Sequence, residues 1–218
     1  MIITIDGPAG AGKSTVAKEV AGRLGYGYLD TGGMYRAVTW KALRHGADLG
    51  DEAALGRLAA DSELEVRDSH IFIDGHDVTE AIRLPDVGEA VSIVSKARPV
   101  RAHMVAKQRA FAQSFGNIVV EGRDIGTVVF PLAKVKVFLT AGEPERARRR
   151  VAELRAKGLE IEAAEVEQEI AARDRLDSGR AVSPLEPAPD AREIDTTDIS
   201  IEEVVTAILG MVAECSGP

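Results

Sequence analysis

The chain has 218 residues, with 27 Lys and Arg against 35 Asp and Glu and a formal net charge of −8. Its 45% apolar and 28% charged residues are those of an ordinary folded globule, which excludes a disordered or collagen-like chain, and no run of 18 apolar residues is present to span a bilayer. The acidic excess disfavours a general nucleic-acid binder, so any anionic ligand must be held by a local cluster of positive charge against the field of the whole chain.

Ile2-Ile3-Thr4-Ile5 is β-branched and continuous and reads as a buried strand. Asp6 follows where a signal peptide would keep its apolar centre, so secretion is not expected. A glycine-rich loop, Gly7 to Gly12, leads into a helix from Lys13 whose Val16, Ala17, Val20, Ala21 and Leu24 share one face, with Gly25 as its left-handed cap. A short strand near Tyr26–Leu29 closes a strand–helix–strand unit, which implies a right-handed crossover and a parallel sheet. Residues 34–45 read as helix. From 46 to 85, Leu64–Arg67 and Ile71–Ile73, separated by Asp68-Ser69-His70 and followed by the Asp74-Gly75 turn signal, read as a small antiparallel β appendage. Helix returns over 86–115, with Pro99 placed for a first turn.

Strands are expected at 117–120 and 134–139, a basic helix at 143–157 and another helix at 162–176. Pro184, Pro187 and Pro189 mark a loop, and a strand at 192–195 precedes a last helix opened by the Ser200/Glu203 capping pair. The tail from Glu214 to Pro218 carries no functional signal and is expected to be disordered. The single cysteine, Cys215, makes no internal disulfide or zinc cluster and points to a reducing cytoplasm. Alternating strands and helices give an α/β class, a three-layer sandwich around a parallel five-stranded sheet. We expect one domain over 1–218, with an insert at about 46–98 and a helical lid at about 143–180.

Gly7-Pro8-Ala9-Gly10-Ala11-Gly12-Lys13-Ser14 fits the phosphate-binding pattern G-x-x-x-x-G-K-[ST], after a strand and opening a helix. Glycines let main-chain N–H groups wrap an anion, and the helix N-terminus adds partial positive charge. Lys13 reaches the β and γ phosphates, Ser14 offers a hydroxyl to Mg²⁺, and Thr15 follows in the same first turn. This loop specifies a nucleoside triphosphate, not a reaction. A switch GTPase would need N-K-x-D, which is absent, and a motor ATPase carries more apparatus than this length allows. A small-molecule kinase would need a second anion site built from arginines. Arg36 follows Asp30-Thr31-Gly32-Gly33-Met34-Tyr35, Arg101 follows Pro99, and Arg123 sits in Glu121-Gly122-Arg123-Asp124 at a strand end. Arg173, Asp177 and Arg180 are spaced to share one helix face, where both arginines can meet one ligand. Asp6 and Glu121, at strand ends, either order Mg²⁺ through water or cap backbone N–H groups.

The ordered set ITIDGPAGAGKST, LDTGGMYR, EGRDIGTVVFP, FLTA before a basic helix, and RDRLDSGRAVSPL resembles the bacterial cytidylate kinase family, from Ile2 to about Val212. The later motifs are more specific than the phosphate loop, and the 46–85 segment resembles the β-subdomain of the bacterial type. The resemblance implies transfer from ATP, with Mg²⁺, to CMP or dCMP. It assigns the donor phosphates to Lys13 and the loop, and the acceptor phosphate to Arg36, Arg123 and Arg180. Ser92, Arg101 and Asp124 would read cytosine. Arg173 and Asp177 would contact the ribose and its phosphate. Thr31 stands where the family often has Ser. Arg146 and Arg150 on the basic lid helix are candidates for transition-state charge, with Gly142 and Gly158 as hinges. The family's arginine-rich run is thinner here, at Leu176 and Gly179. A monomer acting on small molecules, with no nucleic-acid or membrane partner, is expected. The alternatives are a kinase for UMP or dTMP, or a P-loop ATPase without acceptor.

Overall fold

A computed structural model describes residues 1–67, 70–156, 158, 161–180 and 182–216. The expected Asp68-Ser69 connection and the last two residues of the tail lie outside the described residues. The chain divides into two compact units, one of 1–27 with 117–218 and the other of 28–116.

The first unit is built on β1 (Ile2–Asp6), β6 (Ile118–Gly122), β7 (Val135–Thr140) and β8 (Arg192–Asp195). With β2 (Gly27–Asp30) at its edge, the parallel five-stranded sheet runs β2-β6-β1-β7-β8. Ile3, Ile5, Val119 and Val120 are buried, which explains the continuous apolar runs of β1 and β6, and Val137 and Leu139 are buried in β7. The register pairs Asp6 with Gly122 and with Phe138, and Thr140 with Asp195. The loops after β1, β6, β7 and β8 therefore leave the sheet at one edge, the carboxyl edge where open α/β sheets bind ligands.

Helices α1 (Lys13–Leu24) and α8 (Ile201–Ser216) pack together, α1 against β6 and α8 against β7. Gly25 ends α1 in the left-handed conformation at φ 63°. At the start of α8, Ser200 and Glu203 close the expected capping box: the Glu203 carboxylate accepts from Ser200 N at 2.8 Å and Glu203 N donates to Ser200 Oγ at 3.2 Å. Glu214 lies within α8, so the tail is ordered helix at least to Ser216. After β6 the chain makes one wide helical turn, Ile125–Val129, whose i→i+5 bonds include Phe130 N to Ile125 O at 2.7 Å; no sequence signal announced it. Helices α6 (Glu143–Ala156) and α7 (Ala163–Ser178) pack through Ala147, Val151, Leu154, Val166 and Ile170.

The second unit holds α2 (Thr31–Arg44), α3 (Glu52–Asp61), the antiparallel strands β3 (Leu64–Arg67), β4 (His70–Ile73) and β5 (His76–Asp77), then α4 (Pro85–Lys96) and α5 (Arg98–Gln113). Asp74 and Gly75 carry the hairpin turn at φ 50° and 77°. Three expectations change. Helix α2 starts three residues earlier than read, because Asp30 caps it by accepting from Gly33 N at 2.8 Å and so draws Thr31 to Gly33 into the first turn. The 46–85 segment is not purely β: Asp51 caps α3 by accepting from Ala54 N at 2.9 Å, and Leu55 and Ala59 bury its face against α5. The helical stretch over 86–115 is divided at Ala97, whose extended backbone at ψ 118° lets Pro99 enter the first turn of α5.

Candidate functional site

In the first unit the phosphate loop is shaped by its glycines. Gly7 sits at φ 144°, and a Cβ there would lie 2.0 Å from the Leu139 carbonyl oxygen. Gly12 takes the left-handed conformation at φ 89° and gives α1 no side-chain cap, so no side chain competes with an anion for the first-turn N–H groups. Ser14 and Thr15 are exposed in that turn. Lys13 is buried, its Nζ donating to Pro8 O at 2.7 Å. Burial, with the charges of Arg123 and Arg173 outweighing Glu121, lowers its pKa to about 7. Like charges gathered around one buried lysine are unfavourable without an anion among them.

The two strand-end carboxylates separate in role. Asp6 accepts from Ile125 N at 2.8 Å and Gly126 N at 2.7 Å, so both oxygens cap backbone N–H groups, and burial raises its pKa to about 6. Glu121 instead accepts from Ser14 Oγ at 2.9 Å, beside the hydroxyl that the motif offers to a metal.

Arg123 leaves β6 and donates from Nε to Asp177 Oδ2 at 2.8 Å and from Nη1 to Gly7 O at 3.0 Å. Asp177 also pairs with Arg180 through Oδ1 and lies 4.0 Å from Arg173. Burial alone would raise the Asp177 pKa, but Arg123 and Arg180 hold it below the ordinary carboxylate range. Arg180 does not share a helix face with Arg173 as the spacing suggested. Gly179 N–H bonds Arg175 O and ends the helix, and Arg180 reaches Asp177 from beyond it. Asp124 is buried, and its carbonyl accepts from Val128 N and Val129 N at 2.9 and 3.2 Å.

On α6, Arg146 is buried and bonds Ala141 O at 3.0 Å, Ala9 O at 3.1 Å and Asp174 Oδ2 at 2.5 Å. Its own Cβ lies 2.9 Å from where a side chain at Gly10 would begin. Arg150 is not brought into this cluster: it pairs with Glu153 at 2.9 Å along the helix. Arg149, another arginine of the basic helix, donates to Thr196 Oγ1 at 2.9 Å and Thr196 O at 2.5 Å, after β8. Asp174 was missed; its place three residues before Asp177 on the same helix was the available signal.

In the second unit, Thr31 is buried at the start of α2. Arg36 donates to Ile82 O at 3.4 Å, and its Nη1 lies 3.8 Å from where a side chain at Gly88 would begin. Arg101 is buried, donates to Ser95 O at 3.2 Å and lies 5.5 Å over the Tyr35 ring. Ser92 and Ser95 are both buried on α4; the carbonyl that accepts from Arg101 is that of Ser95. Asp30 pairs with Arg83 at 2.8 Å. Burial would raise the Asp30 pKa, but Arg83, the Gly33 N–H and Arg36 lower it. Among the described residues no helix is long and apolar enough to cross a membrane.

A phosphate loop ringed by guanidinium groups is the equipment of a kinase, and the likenesses to known proteins agree. The cytidylate kinase family model matches residues 3–214. The cytidylate kinase of Geobacillus kaustophilus (strain HTA426) is 52% identical over 219 residues, spanning 99% of this chain and 97% of that one. That of Shouchella clausii (strain KSM-K16) is 52% identical over 218 residues, covering 98% and 96%. An uncharacterized protein from Eubacterium ventriosum ATCC 27560 shares the fold, with a TM-score of 0.52 at 13% identity over 97% of both chains. From motif order, loop geometry and near full-length likeness together, the chain belongs to the cytidylate kinase family.

Proposed function

We propose that the chain transfers the γ-phosphoryl group of ATP to CMP or dCMP, giving ADP and CDP or dCDP. Family membership supports the reaction and the acceptor. The observation that carries the reading in the geometry is Arg123, which bonds both the Gly7 carbonyl of the phosphate loop and Asp177 of α7, so that one guanidinium serves both sides of a transfer.

Phosphoryl transfer asks for alignment and charge compensation more than covalent chemistry. Lys13 and the loop from Gly7 to Thr15 hold the donor phosphates. Arg36, Arg123 and Arg180 grip the acceptor phosphate, since guanidinium forks bind phosphate bidentately and keep their charge. The acceptor oxygen is itself the nucleophile, so no strong general base is assigned. Ser92, Arg101 and Asp124 read the base: a carboxylate accepts from the exocyclic amine of cytosine and repels the carbonyl of uracil. Arg173 and Asp177 contact the ribose and its phosphate. The donor set fits Mg²⁺, since an exposed hydroxyl with one carboxylate 2.9 Å away suits an ion that keeps most of its waters and binds phosphate oxygens. Ser14 would hold it and Glu121 would order its waters. When bound, the ion neutralises charge on the donor phosphates. Helices α6 and α7 act as the lid that excludes water, with Gly142 and Gly158 as hinges and Arg146 as the charge it brings to the phosphate loop. The enzyme works as a cytoplasmic monomer with small-molecule partners.

The test is a coupled assay of ADP release over CMP, dCMP, UMP, AMP and dTMP. CMP and dCMP are expected to be turned over, with UMP lower in kcat/KM by about 10²-fold or more. Equal kcat/KM for UMP and CMP would overturn the acceptor, and ATP hydrolysis indifferent to CMP would overturn the kinase reading in favour of an ATPase.

A further inference from the structure

Two arginines of the first unit are strung in the same way. Arg123 runs from Asp177 of α7 to Gly7 O of the phosphate loop, and Arg146 runs from Asp174 of α7 to Ala9 O of the same loop. The carboxylates are three residues apart on one helix and the carbonyls two residues apart on one loop. Asp177 has a place in the reading above; Asp174 has none. We propose that Asp174 is a positioning residue for phosphoryl transfer, acting through Arg146. The inference rests on the kinase reading and deepens it.

The hydrogen bonds of Arg146 account for two of its three nitrogens. Nε goes to Ala141 O, and Nη1 goes to Ala9 O and Asp174 Oδ2. Nη2 makes no hydrogen bond among the described residues. A guanidinium is rigid and planar, so fixing Nε and Nη1 fixes the direction of the remaining two N–H groups. Without Asp174 the fork is held only by neutral carbonyls on one flexible side chain. The 2.5 Å contact makes Asp174 the shortest and the only charged member of that set.

The carboxylate itself is poorly provided for. Its Oδ1 is buried and has no hydrogen-bond partner among the described residues. The side chain is 19% exposed, and an enclosed acceptor oxygen left without a donor is a desolvation cost. Among the described residues its one ion pair is with Arg146, at the phosphate loop.

A double-mutant cycle on Asp174→Asn and Arg146→Ala decides the matter, read as kcat and KM with CMP and as thermal unfolding. Asp174→Asn alone is expected to lower kcat about 10–100-fold, because a small misplacement of a transition-state group costs that much. KM for CMP should hold, while the unfolding temperature falls by a few degrees because the buried guanidinium loses its counter-charge. In the Arg146→Ala background the same substitution should change kcat by less than about 2-fold, since a residue that acts only through its partner has nothing left to act on. A wild-type kcat, an equal fall in both backgrounds, or unfolding at the assay temperature would each overturn the proposal. The cycle is repeated on acceptor-free ATP hydrolysis. If the wild type turns over no CMP, the kinase reading fails, while the hydrolysis cycle still reports on Asp174.

Discussion

The phosphate loop and helix α7 both prepare the first unit for anions, by opposite means. In the loop the backbone does the work. Gly7 and Gly12 adopt φ values closed to other residues, and the single cation, Lys13, is buried and tied to Pro8 O. On α7 the side chains do it: Asp174 and Asp177 hold guanidinium groups that come from α6, from the end of β6 and from beyond the helix itself. A backbone cradle is fixed once the chain folds. The Asp177 pairs are exchangeable, because a phosphate can take over the guanidinium bonds that the carboxylate holds in its absence, whereas the Asp174 pair is the one that keeps Arg146 in place.

The sharpest way to break this contrast is to remove the one side chain on which the loop depends. Lys13→Ala should lower turnover roughly 10²–10³-fold, the cost of one lost charge stabiliser, with the cooperative unfolding transition retained. Near-normal turnover would show that the backbone alone suffices. A smaller effect separates the regions by pH. Lys13 titrates near pH 7 because of burial and its cationic neighbours, whereas Asp177 is held below its ordinary value of 3.8. Phosphate favours charged Lys13, so above pH 7 ATP binding must take up a proton, and affinity should fall by up to about tenfold per pH unit. The Lys13→Ala variant should lose that slope. The stability that Asp177 contributes has the opposite sense: it is present above the unfolded carboxyl value and is lost only as pH falls through the lower folded value. Between pH 7 and 9 the pH dependence of ATP affinity therefore belongs to the loop; a slope that survives Lys13→Ala would contradict the division.

The same contrast explains what the sequence made legible. The loop could be read because its chemistry requires particular residues at particular φ angles, and those residues stand in one contiguous run. The central strands β1, β6 and β7 were legible for a similar reason, being buried along nearly their whole length, whereas β8 is mostly exposed. Helix α3 was missed because Asp51 and the apolar pair Leu55 and Ala59 make a short and weakly marked helix beside two conspicuous strands. The α7 site was half legible. Spacing gathered Arg173, Asp177 and Arg180, but Gly179 ends the helix, and Arg180 reaches the carboxylate by a turn that spacing does not encode. Which carboxylate holds which arginine is a tertiary matter: Arg146 and Asp174 are 28 residues apart. Nothing local distinguishes Arg146 from Arg149 or Arg150, three arginines of one helix with three different partners.

The most direct measurement is a crystal structure of the chain with CMP bound. The account predicts the CMP phosphate within hydrogen-bond reach of the Arg123 and Arg180 guanidinium groups, with those groups turned from Asp177 toward it, and the cytosine amine on Asp124. A phosphate seated away from both arginines, or no CMP bound at saturating concentration, would contradict it.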